Sequence, residues 1–165
     1  MTRTPLTEHI TLEEMTASHH GLNNDCPQAL AANLLKTAQK AEEARAILSD
    51  FAQKDCRLFG IYGYRGHDEN AACSGSETSA HMEALGVDFR PDASLYTLRA
   101  AWDVLRMHPS FMAEVDQLII ERGCLHIGLP TARHNHIPRH ELRLDQDVNG
   151  KRTYPLFGNW EAPHA

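Results

Sequence analysis

An α+β fold is what the order of patterns along this chain predicts, with N-terminal helices packed on a small, mainly antiparallel sheet. Three observations carry that expectation. Apolar residues recur at three- and four-residue steps through about 27–51 and again through 94–107. Short apolar runs bounded by turn residues dominate from about position 115 onward. Strand and helix patterns do not alternate as in a βαβ series, so a parallel doubly wound sheet is not expected.

Taken in order, Thr11-Leu-Glu-Glu14 has the capping-box pattern and predicts a short helix near 12–19, closed by the His20-Gly21 step. Pro27 suits the first turn of a second helix over 27–51, with Asp25 or Cys26 at its cap. Leu30, Leu34, Ala38, Ala41, Ala44 and Leu48 form its apolar stripe, and Lys36, Lys40, Glu42 and Glu43 its wet side. The run 56–62 reads as a strand. Residues 63–79, polar and containing Gly63, Gly66 and Gly75, read as a long loop of the kind that carries function. A short strand is expected at 86–89. Asp92 or Ser94 can cap the third helix, which Pro109 ends. Strands are expected at 115–120 and 124–129 around an Arg122-Gly123 turn, and another at 141–144. The tail beyond Asn149 reads as irregular. Nothing marks a linker or repeat, so one domain over 1–165 is expected, with its core at about 10–145 and a tail at 146–165.

Composition narrows the functional classes. The 165 residues are 42% apolar and 23% charged, with a formal net charge of -6. No basic stripe is present, which argues against nucleic acid as a partner, because phosphate backbones reward clustered Lys and Arg. No apolar run approaches membrane-spanning length. The first residues lack the apolar segment of a signal peptide. A secreted role would then need another export route, such as host lysis or injection by a particle. The four cysteines, Cys26, Cys56, Cys73 and Cys124, form no CxxC pair and read as reduced thiols in or near the core. A monomer is the default.

The chemistry concentrates in Ser76-Glu-Thr-Ser-Ala-His81-Met-Glu-Ala-Leu-Gly-Val-Asp88 and in Leu125-His126-Ile-Gly-Leu129. Two imidazoles and one carboxylate make a sensible catalytic zinc set that leaves a fourth position open. Gly86 can let the chain turn so that Asp88 returns toward His81. The spacing matches no general zinc signature such as HExxH. Among eleven histidines some His and Asp pairs occur by chance. The bland alternative has His81 in a surface loop, Asp88 in a turn and His126 satisfied within a sheet.

These segments resemble the M15 peptidases, the zinc D-alanyl-D-alanine carboxypeptidases and related phage endolysins, and most of all their small phage-type branch. The resemblance implies Ser79, His81 and Asp88 as the Ser-x-His-x-x-x-x-x-x-Asp segment. His81 and Asp88 are then zinc ligands, and His126 on a late strand is the third. Ile10-Thr-Leu-Glu-Glu-Met-Thr-Ala-Ser18 with Gly21-Leu-Asn23 is similar to the branch's N-terminal helix and loop. Tyr62-Gly-Tyr-Arg65, with Asn70 and Ser74-Gly-Ser76, is similar to its substrate-side loop. Asp116-Gln-Leu-Ile-Ile-Glu121 is similar to the strand before the last ligand. The resemblance also implies the carboxypeptidase fold, a Zn2+ cofactor and a peptidoglycan peptide substrate.

The chain also departs from that family. Ala84 stands where a glycine is common, three positions after the first ligand. Cys124 and Leu125 stand where a tryptophan is frequent, so the aromatic floor is either missing or supplied by Trp102 or Tyr64. Gly123 occupies the usual place of the catalytic carboxylate, three residues before His126. Glu121 is then the first candidate for general base, facing His126 across the turn, and Asp116 is the second. Arg65 is expected to hold a substrate carboxylate or developing oxyanion, its alternative being a surface pair with Asp68 or Glu69. Ser79 is expected to bind substrate or a neighbouring amide rather than act as a nucleophile. Cys124 can line the site or lie inert. His19 and His20 read as helix-ending residues, and His134, His136 and His140 as a loose loop cluster.

Overall fold

The computed structural model describes residues 3–148 and 150–161. Its helices are α1 (Leu12–Met15), α2 (Ala31–Ala52), α3 (His67–Ala72), α4 (Leu98–Arg106) and α5 (Pro109–Met112). Its strands are β1 (Leu58–Tyr62), β2 (Gly86–Pro91), β3 (Gln117–Glu121), β4 (Cys124–Gly128), β5 (Glu141–Leu144), β6 (Gln146–Val148), β7 (Lys151–Thr153) and β8 (Leu156–Asn159). The fold is mixed α+β, with N-terminal helices against a six-stranded sheet in the order β1-β2-β4-β3-β5-β8. Only β3 and β5 pair in parallel within it. Strands β6 and β7 form a separate hairpin.

The capping box at Thr11 forms, with Glu14 N–H donating to Thr11 Oγ1 and Thr11 N–H to Glu14 Oε2. The helix nevertheless stops at Met15 instead of running to 19. Tertiary bonds take the carbonyls a longer helix would need. Met15 O accepts the Gly63 and Tyr64 amides at 3.1 and 2.8 Å. Asn24 Nδ2 takes the Thr16 and Ala17 carbonyls.

Helix α2 follows a 3₁₀ turn at Gln28–Leu30 and buries Leu34, Ala38, Ala41, Ala44 and Leu48 along the expected stripe. Lys40, expected on the wet side, is instead buried. Its ammonium lies 2.6 Å from both Glu43 and Glu114 and above the Phe111 ring. The expected loop at 63–79 contains α3, whose first-turn Asp68 and Glu69 suit a helix N-terminus. Helix α4 is capped by Thr97, not by Asp92 or Ser94. Asp92 accepts the Ser94 amide in a turn of its own. Pro109 does not merely end a helix. It opens α5. The tail, expected to be irregular, carries β7 and β8, and β8 covers the edge of β5.

The sheet separates core from cleft. Side chains alternate along a strand, and cross-strand register aligns Val87 with Ile127 and Leu118, and Phe89 with Leu125 and Ile120. Val87, Phe89, Leu118, Leu125 and Ile127 are buried in one cluster with Leu34, Leu48, Trp102 and Leu105 of α2 and α4. Trp102 Nε1 donates to Leu118 O at 3.1 Å, so this ring belongs to the core and is no floor for a site. The opposite face carries the row Tyr62, Asp88, His126, Ile119 and Arg143.

Candidate metal centre

His81 lies in a 3₁₀ turn, Ala80–Glu83, that α2 holds in place. Asn33 Nδ2 donates to Glu83 O at 2.9 Å, and Thr37 Oγ1 donates to Ala84 O at 2.8 Å. Ala84 then takes a left-handed conformation, φ 55, and sends the chain back into β2. The turn expected at Gly86 is therefore made two residues earlier. Gly86 has a different part, because its missing Cβ leaves room for the His81 ring. Asp88 follows on β2, directly opposite His126 of β4.

Three ring and carboxylate atoms converge. His81 Nε2 lies 3.1 Å from His126 Nδ1 and 3.2 Å from Asp88 Oδ1, and His126 Nδ1 lies 2.8 Å from Asp88 Oδ1. All three residues are buried. The other nitrogen of His81, Nδ1, is 2.5 Å from Gly63 O. A carbonyl only accepts, so Nδ1 carries the proton and Nε2 turns a lone pair into the site. That is the arrangement metal-ligating histidines use to fix tautomer and ring orientation.

Electrostatics favour the ligating form at Asp88 and His81, and His126 is drawn the other way. Burial works to raise the Asp88 carboxyl, but the adjoining His81 and His126 outweigh it and hold it well below the usual carboxylate range. Burial lowers the His81 pKa against the pull of Asp88, favouring the neutral ring a metal needs. For His126 burial also works downward, and the Asp88 hydrogen bond and charge reverse it.

The donor set fits zinc. Tetrahedral bonds of about 2.0–2.2 Å place donor atoms roughly 3.3–3.6 Å apart. The edges of 2.8–3.2 Å here need only a small expansion. Arg65 also occupies the trio. Its guanidinium pairs with Asp88 Oδ2 and donates to His81 Nε2 at 3.0 Å, while its Nε is buried without a partner. It makes no pair with Asp68 or Glu69. For a cation to take the His81 lone pair, Arg65 must turn outward, toward the cleft it lines.

That cleft, about 1230 Å³, lies over the sheet face bearing Asp88 and His126, and Ser79, Glu121, Cys124 and His134 also line it. The Arg122-Gly123 turn has positive φ at both residues, 46 and 81, as a two-residue hairpin of this hand requires. Glu121 pairs with Cys124, and Ile119 with His126. Glu121 is thus the diagonal neighbour of His126 on the cleft face, a separation of about 7–8 Å between backbones. Asp116 is different. It is buried and bound by the Arg139 amide and guanidinium at 2.5–3.2 Å, so it is not free to act as a base. Burial, with the Asp88 and Glu121 charges, pushes the Cys124 thiol up to about 12, which makes it inert as a nucleophile. Ser79 shows no side-chain hydrogen bond among the described residues. The aromatic surface comes from Tyr62, its ring 3.6 Å from that of His19, and from Tyr154, and not from Tyr64 or Trp102. His140 is occupied by Val115 O and packs on Trp160.

A second donor group, His20, Glu69 and Cys73, also brings its ligand atoms within 4.8 Å of one another. The pattern of the sequence does not announce it. The only local signal is the four-residue step from Glu69 to Cys73, hidden in a stretch that reads as loop.

A scan against protein-family models and searches of characterised proteins and of solved structures return no match. The likeness to the M15 peptidases therefore stands on the motif residues alone. The geometry supports a coarser statement: the protein holds buried His and Asp donors consistent with a divalent metal such as zinc. Among the described residues, no helix is long and apolar enough to cross a membrane.

Proposed function

We propose that this protein is a zinc-dependent metallopeptidase that hydrolyses peptide bonds in peptidoglycan stem peptides or cross-links, of the D-alanyl-D-alanine carboxypeptidase or endolysin type. The observation that carries the reading is the buried His81–Asp88–His126 trio, with His81 locked by Gly63 into the tautomer that faces a ligand. Its position beneath an open cleft gives a substrate access.

Zinc held by His81, Asp88 and His126 would polarise the scissile carbonyl and make water acidic at neutral pH. Glu121 takes a proton from the attacking water and returns it to the leaving amine. Arg65, turned from Asp88 toward the cleft, presents a guanidinium fork to the developing oxyanion or to the terminal carboxylate of the peptide. Ser79 offers its free hydroxyl to the substrate backbone. Action at the wall after synthesis in a bacterial cytoplasm goes with this reading.

The test has two stages. Protein purified without chelator is analysed for metal, and His81→Ala is expected to lose one zinc equivalent relative to the parent. Wall peptides are then digested, and new amines or released D-alanine are expected. No loss of zinc in His81→Ala would overturn the reading. A second reading, a zinc-binding structural or wall-binding protein of a phage particle without turnover, is favoured by Gly123, which leaves the usual carboxylate position without a side chain. Retained zinc with no cleavage of any wall substrate would select it.

A further inference from the structure

His20, Glu69 and Cys73 take no part in the proposed hydrolysis, yet they form a donor set beside the same cleft, which His20 and Cys73 line. We propose that these three side chains bind a second, thiophilic divalent cation, zinc in the first instance. The site shares no ligand with the His81 centre and does not depend on the function proposed for it.

Glu69 and Cys73 lie four residues apart on α3 and its C-cap, so one helical turn stacks them on a single face. His20 reaches them from the loop after α1. Cys73 Sγ is 3.6 Å from Glu69 Oε1 and 3.9 Å from His20 Nδ1, and His20 Nδ1 is 3.1 Å from Glu69 Oε1. With Zn–S near 2.3 Å and Zn–N or Zn–O near 2.1 Å, tetrahedral edges are about 3.4–3.6 Å. The three atoms already stand close to those spacings.

A different chemistry must be weighed against this one. Cysteine, histidine and glutamate also make a nucleophilic relay, in which carboxylate and thiol face opposite nitrogens of the imidazole. Here both face the same nitrogen, Nδ1. A relay cannot run through one atom, whereas a chelate needs all its donors aimed at one point.

The supporting shell is also in place. Glu69 is buried, with 1% of its surface exposed, and its carboxylate is fixed by the Ser18 hydroxyl at 2.5 Å and the His19 amide at 2.9 Å. Arg122 Nη1 donates to Cys73 O at 3.0 Å. His20 is exposed, so an ion reaches the site from the cleft. A thiolate and a carboxylate balance a dication, and the sulfur selects zinc or cadmium over magnesium or calcium. Once bound, the ion would pin the loop that carries His19, whose ring covers Tyr62 on the cleft wall.

The test uses the full-length protein, stripped with chelator and titrated with Cd2+ alone. A thiolate-to-metal charge-transfer band requires a sulfur ligand, which the His81 trio lacks. Cys124 lies on the face of His126, so the titration is run in a Cys124→Ser background. A band with the amplitude of one bound thiolate is expected within two equivalents, one for each site. Cys73→Ser should abolish it, and His20→Ala, with a thermal melt to show that the fold persists, should weaken it at least about tenfold. Asp88→Asn should leave the band intact while losing the other equivalent, so failure at one site is read separately from failure at the other. A parent without the band, or a band that survives Cys73→Ser, overturns the proposal.

Discussion

Gly86→Ala tests whether His81 is positioned as tightly as the contacts around it imply. A Cβ at Gly86 would lie 3.0 Å from His81 N and 3.1 Å from His81 Cγ and Cδ2. Ordinary contact begins at 3.4 Å, so the ring and its backbone must retreat by about 0.3–0.4 Å. His81 has little freedom to do so. Its Nδ1 is bound to Gly63 O at 2.5 Å, and its carbonyl accepts the Arg65 and Ala84 amides at 3.1 Å each. Overpacking of this size costs about 1–3 kcal/mol. For metal binding the shift matters more, because ligand placement tolerates only about 0.2 Å. Zinc affinity should therefore fall about 10–100-fold, the range seen when support of a ligand is disturbed. The assay is competition against a chromophoric chelator, with a thermal melt on the stripped protein to show that the fold persists. An alanine variant that binds zinc as tightly as the parent would refute the claim that Gly86 positions His81.

The same contacts set other expectations. Glu121→Gln should abolish wall-peptide cleavage while keeping the zinc content of the parent. Asp116→Asn should keep residual cleavage but lose about 1–3 kcal/mol of stability in denaturant unfolding, because it removes the charge of a buried carboxylate that the half-buried Arg139 binds. Glu42 ties the N-terminal loop to α2, accepting from Arg45, Thr7 and His9. Burial works to raise its carboxyl, and these partners together bring it down to about 2 from 4.5. A depressed carboxylate stabilises fully above its unfolded value and loses that contribution as pH falls toward about 2. Glu42→Gln should then flatten the fall of Tm with pH across that window, and an unchanged slope counts against the assignment. Arg65→Ala should raise zinc affinity, since the guanidinium competes for Asp88 and the His81 lone pair. It should also depress kcat if Arg65 serves the oxyanion, and equal kcat in parent and variant would remove Arg65 from the reaction.

Patterns that repeat within a few residues were legible without coordinates. The stripe Leu34, Ala38, Ala41, Ala44 and Leu48 is buried as periodicity requires, since one face of a helix must meet the core whatever lies opposite. The Arg122-Gly123 hairpin is equally local, and its glycine accepts the positive φ the turn demands. Six residues of α3 are too few for a period to show. Lys40 sits on an inward-facing row and looked exposed because its partner Glu114 lies just beyond α5, far along the chain. The length of α1 was unreadable for a similar reason, because Met15 O is claimed by the chain at 63–64. Strand β8 exists because β5 offers an open edge, which no local propensity in a Gly- and Pro-containing tail announces.

The candidate site divides along the same line. Residue types and spacing nominated His81, Asp88 and His126, and the motif resemblance gave them an order. Only the register of β2 on β4 sets Asp88 opposite His126, and a one-residue slip would turn one of them to the core. The bond from Gly63 that chooses the His81 tautomer joins residues 18 apart, and the His20–Cys73 contact joins residues 53 apart. Sequence determined which side chains were available and which faces of the helices and strands were apolar. Tertiary structure decided which side chains meet, because hydrogen bonds and sheet register between distant segments carry no signature in either segment alone.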